Sequence, residues 1–176
     1  MVGVSGSPGS LTALRRAAEE ARLREAELWA VVTWEPPEGD LQARRSPYAS
    51  FILDEWQRRA REKLVTALTE VFGAGVPDFP LQALVARGAP GRVLVRIAEG
   101  EQDVLVVGAG RHGWLHRVLG PSVSRYCLAH ATCPVLAVPP SPLEAGLRAV
   151  HRRNVLGLRL DTQRMWKEFA TAPPVV

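Results

Sequence analysis

Asp103-Val104-Leu105-Val106-Val107-Gly108-Ala109-Gly110-Arg111-His112-Gly113 is the stretch on which the fold turns. Asp103 to Val107 reads as a strand with apolar residues toward both faces, and it breaks on a glycine-rich loop. Downstream, the pattern predicts a helix from about Pro121 to Ala129 and a last strand from Pro134 to Val138. A proline at the head of that strand suits a sheet edge. Upstream, Leu81 to Ala86 reads as a strand, and Pro90 to Ala98 as a short helix with Val93, Leu94 and Ile97 inward. A longer helix carries Leu53, Trp56, Ala60, Leu64, Ala67 and Val71 on one stripe and stops before Gly73 and Gly75. Leu28 to Trp34 is a buried strand, closed by Glu35-Pro36-Pro37-Glu38-Gly39-Asp40 and followed by a polar loop to about Ser50.

The chain opens on a brief strand, Val2 to Val4, broken by Gly6, Pro8 and Gly9. Ser10 is read as the cap of a helix burying Leu11, Leu14, Ala18 and Ala21 opposite Arg15, Arg16, Glu19 and Glu20. So short a first strand leads us to expect that the natural start lies upstream. Strands alternating with helices predict a parallel sheet covered on both faces. Pro139-Pro140-Ser141-Pro142 closes this domain, at residues 1–140, and 141–176 is a basic, partly helical extension. No internal repeat is visible.

Composition narrows the function classes. The 176 residues are 47% hydrophobic and 23% charged, which suits one globular domain with an appendage. No apolar run nears the roughly 18 residues of a membrane span, and the first residues lack an export signal's pattern. Cys127 and Cys133 are too few for a disulfide framework and are read as small buried hydrophobes. A cytoplasmic protein is the expectation. Net charge is +4. Beyond Ser141, six Lys/Arg stand against three Asp/Glu, so the excess sits mainly on the extension. That extension is expected to dock on the domain or serve a protein partner rather than nucleic acid. From Val104 to Leu143 there is no Asp or Glu, whereas Arg111, Arg117 and Arg125 lie within that stretch. An anion could dock there without carboxylate repulsion; the alternative is a strand and helix that simply lack acids.

Two glycine-containing loops follow predicted strands, Ser5-Gly6-Ser7-Pro8-Gly9-Ser10 and Gly108-Ala109-Gly110-Arg111-His112-Gly113. Glycines let backbone amides approach a phosphate, and a helix start adds partial positive charge. The standard catalytic signatures fail. Gly108-x-Gly110-x-x-Gly113 lacks the ribose-binding acid that the dinucleotide motif needs. No Walker lysine follows, and Gly3-Val4-Ser5-Gly6-Ser7 misses a nucleophile elbow. No metal spacing and no general base beside the loop are found, so the chain is not read as an enzyme.

Val106-Val107-Gly108-Ala109-Gly110-Arg111, Gly120-Pro121-Ser122-Val123-Ser124-Arg125 and His130-Ala131-Thr132-Cys133-Pro134-Val135-Leu136-Ala137-Val138 together resemble the universal stress protein family. Val2 to Ser10 and Trp34-Glu35-Pro36-Pro37 resemble that family's first strand and turn and the end of its second strand. The resemblance implies an α/β fold with a five-stranded parallel sheet in order 3-2-1-4-5, helices on both faces, and a homodimer through the last strand, Pro134 to Val138. It also implies ATP, with magnesium, bound as a regulatory ligand at the first and fourth strand ends. The implied binding residues are Val4, Ser5, Thr33, Gly108, Gly110, Arg111, Gly113, Ser122, Val123 and Ser124, with phosphates against the amides of both glycine-loop and helix-start residues. Against the family's Gly-x2-Gly-x9-Gly-Ser/Thr pattern, Gly108 and Ser122 match, while Arg111 and Pro121 replace glycines and Ser5 replaces an aspartate. Arg111 reads as a phosphate partner or a solvated loop residue, and Ser122 as a helix cap or a ligand contact. An interaction protein of the same fold with a degraded ATP motif is the rival reading, and a slow ATP hydrolase the third.

Overall fold

The computed structural model describes residues 1–36, 49–73, 75, 77–109 and 122–141. Contacts divide the chain into Met1–Pro140 and Ser141–Val176. Apart from Ser141, the second unit lies outside the described residues, and so do the expectations placed on its tail. Five strands and four helices alternate among the described residues: β1 (Val2–Val4), α1 (Pro8–Leu23), β2 (Leu28–Trp34), α2 (Ala49–Phe72), β3 (Leu81–Arg87), α3 (Pro90–Ile97), β4 (Leu105–Gly108), α4 (Val123–His130) and β5 (Val135–Val138).

The sheet runs β3-β2-β1-β4-β5, with every pairing parallel. Its longest ladder runs from Leu28↔Leu81 to Trp34↔Arg87, while β1 bridges β2 (Val4↔Val32) and β4 (Val2↔Val106). Side chains alternate across the sheet, so two cores form. Val2, Val4, Leu28, Ala30, Val32 and Val106 pack with Leu14, Ala17, Ala18, Leu64 and Ala67 of α1 and α2. Val31, Leu105 and Val107 point the other way, toward Leu94 and Ala98 beside α3 and Cys127 and Cys133 around α4. Both cysteines are free and buried, and desolvation pushes the Cys127 thiol above its ordinary value. They behave as small hydrophobes.

Several element boundaries differ from the sequence reading, each for a local reason. Ser7, not Ser10, caps α1: its extended backbone (φ −79°, ψ 153°) lets the hydroxyl accept from Ser10 N. Pro8 then fits the first turn, where its missing N–H costs nothing, so Pro8-Gly9 starts the helix instead of breaking the chain. Asp103 lies outside β4 because its carboxylate accepts from Gly100 N at 3.0 Å in a tight turn. Pro134 sits just before β5, where its carbonyl accepts from Leu105 N at 2.9 Å. Pro121 lies outside the described residues, and α4 starts at Val123 behind the Ser122 cap.

Candidate functional site

In a parallel sheet, the loops at the carboxyl ends of the strands share one edge. Here the chain runs outward from β1 to β2 and β3, then returns to build β4 and β5 on the other side. The crevice at that reversal, between the ends of β1 and β4, is where open α/β sheets hold ligands.

The wall after β1 is a compact serine turn. Ser5 N donates to Ser10 Oγ at 3.2 Å, and Ser10 Oγ donates to the Ser7 carbonyl at 2.8 Å. The Ser5 and Ser7 hydroxyls face each other at 3.0 Å. Gly6 closes the turn with φ +73°, a left-handed conformation that a side chain would strain. Val4 is buried on the α1–α2 side, so only its backbone can meet a ligand. Thr33 pairs with Ala86 and is half-buried on the sheet face opposite Val32.

The second wall touches the first. A Cβ placed on Gly108 would stand 2.9 Å from the carbonyl oxygen of Gly9 and 3.1 Å from its carbon. The end of β4 thus lies against the backbone of the first turn of α1, an approach that only glycine permits. Further along, Ser122 accepts from Arg125 N at 3.4 Å and its hydroxyl pairs with that of buried Ser124 at 2.9 Å. Ser122 is therefore the helix cap. Val123 is exposed at the start of α4. Gly110, Arg111 and Gly113 lie outside the described residues.

The first turns of α1, α3 and α4, all at the carboxyl edge of the sheet, contain no acid, and the exposed carboxylate of Glu35 follows the end of β2. Acids are the usual choice in a first turn, because a helix start carries about half a positive charge. Among the described residues no cluster of His, Cys, Asp or Glu is set to hold a metal. No described helix is long and apolar enough to cross a membrane.

The sequence reading missed one basic residue beside the first wall. A Cβ on Gly6 would meet Lys63 Cγ at 3.2 Å and Cδ at 3.5 Å, so the lysine stem lies along the turn. The available signal was its helical spacing. Lys63 stands three residues after buried Ala60 and four before buried Ala67, on the flank of the apolar stripe.

A five-stranded parallel sheet in this order, with the chain reversing direction between β1 and β4, defines a doubly wound α/β class. The universal stress protein family pattern matches residues 1–139, and the chain belongs to that family. Universal stress protein Rv2005c of Mycobacterium tuberculosis is 34% identical over 136 residues, which are 77% of this chain and 43% of that protein. Universal stress protein Slr1101 of Synechocystis is 36% identical over 87 residues, 48% of this chain and 80% of that one. The chain thus spans less than half the length of the mycobacterial relative. Among solved structures, a universal stress protein in complex with cAMP is 30% identical, with TM-score 0.50 over 80% of this chain and 94% of its own. The hypothetical protein MJ0577 shares the fold at TM-score 0.61 and 20% identity, over 80% of this chain and 95% of its own.

Proposed function

We propose that this chain is a stress-response protein that binds an adenine nucleotide, ATP with magnesium, as a regulatory ligand rather than a substrate. The observation that carries the reading is the contact of Gly108 with the first turn of α1, which joins two acid-free walls at the topological switch point. A relative 30% identical was solved with cAMP, which supports the adenine class of ligand. Ser5 brings a hydroxyl where a carboxylate would chelate, so magnesium enters held mainly by the phosphates. Calorimetric titration of the full chain with ATP and magnesium tests the proposal. Saturable heat is expected, with stabilisation of about 2.7 kcal/mol at a hundredfold excess over Kd. Absence of both heat and thermal shift at millimolar ATP and cAMP rejects it.

The same reading includes a cytoplasmic homodimer. β5 is an edge strand, and an apolar edge must be paired or covered. Light scattering at micromolar concentration is expected to give twice the chain mass of 19.2 kDa, and the single-chain mass would contradict pairing.

A further inference from the structure

Resting on the adenine-nucleotide reading, we propose that Lys63 of α2 is a positioning residue for the phosphates, its ammonium serving as a cationic arm at the rim of the Ser5–Ser7 turn. The stem is fixed first: Cγ and Cδ lie along Gly6, and the ammonium stands two bonds beyond Cδ. A lysine on the flank of a buried stripe lays its methylenes on the protein and keeps its charge in water, and Lys63 is exposed.

No acid among the described residues pairs with Lys63. Among the described residues, the Glu55 carboxylate of α2 meets Arg58 and Arg59 at 2.8 and 2.7 Å, and Glu62 meets Arg58. Hydrogen bonds from Arg58 and Arg59 hold the Glu55 carboxyl down to about 2. The turn itself contributes only hydroxyls, from Ser5 and Ser7. No carboxylate in the turn or in the acid-free start of α1 competes with an incoming phosphate for Lys63.

Lys63→Met separates charge from packing, because methionine retains an apolar stem over Gly6. Wild type, Lys63→Met and Lys63→Arg are titrated as full chains with adenosine, AMP and ATP, and thermal melts check folding. Lys63→Met is expected to bind adenosine like wild type and to bind ATP about ten-fold more weakly, with AMP between them. Lys63→Arg is expected to restore most of the ATP affinity. Equal ATP binding by wild type and Lys63→Met overturns the proposal. So does an equal loss for adenosine and ATP, which would mark a packing role. If wild type binds none of the three, the nucleotide reading itself fails, a result distinct from either.

Discussion

Gly108→Ala is expected to cost about 1–3 kcal/mol of stability and to weaken nucleotide binding roughly ten-fold. The new methyl would stand 2.9 Å from the carbonyl oxygen of Gly9 and 3.5 Å from Ser10 N. Both are backbone atoms in a helix, so relief requires α1 to shift as a body rather than one side chain to rotate. Such a shift moves the amides at the helix start, and hydrogen bonds weaken steeply once donors leave their line. Gly3→Ala provides the comparison. Its methyl would meet Leu94 Cδ1 at 2.7 Å, the tip of a side chain on the α3 side of the sheet. A leucine forced off its rotamer costs about 1 kcal/mol, and binding should survive. Denaturant melts and ATP titration on both variants read the difference. Equal binding losses would mean that the two walls do not act together.

The second large effect is expected from Leu14→Ala. Leu14 is 0% exposed, at the centre of the buried face of α1. It packs within the core formed by β1, β2 and β4. Removing its branched end should cost about 3 kcal/mol, the lost transfer energy plus the cavity left behind. For a domain of this size that corresponds to a fall in Tm of about 6–12 °C. The surroundings include Ala17, Ala18 and Ala21, whose short side chains cannot swing in to fill a void. Calorimetry or a urea melt checks it, and a loss under about 1 kcal/mol would show that the helix collapses onto the sheet. By contrast, Arg16→Ala removes exposed pairs with Glu19 and Glu20 that contribute little in water.

The architecture was legible because each buried element is bounded by residues with a definite local effect. Leu28–Trp34 emerges with its predicted limits, since apolar residues fill it and Glu35-Pro36 closes it. The helices were legible from their stripes. Boundaries were lost where a turn residue had two uses: Pro8 opens a helix as readily as it ends a strand, and Asp103 folds back onto Gly100. Of the candidate site, the placement along the strand ends was legible. Resemblance and strand order brought Ser5, Thr33 and Gly108 to one edge, and Ser122 to the start of α4 beside it. Helical spacing placed Lys63 on the flank of the apolar stripe, but its place beside Gly6 depends on how α2 packs against the first turn, a matter of tertiary packing. The role of Gly108 was likewise hidden, since a loop glycine and a glycine wedged against a helix look alike in sequence.

The small side chains beneath α1 carry a consequence for how such a protein can change. Ala13, Ala17 and Ala21 let the helix ride low on the sheet, with Gly9 seated on Gly108. Any enlargement along that seam would raise the helix and carry its amide-bearing tip away from the strand ends. Changes that leave the seam alone are confined to the outer rim, where the exposed Ser5 and Lys63 side chains stand clear of the contact between Gly9 and Gly108.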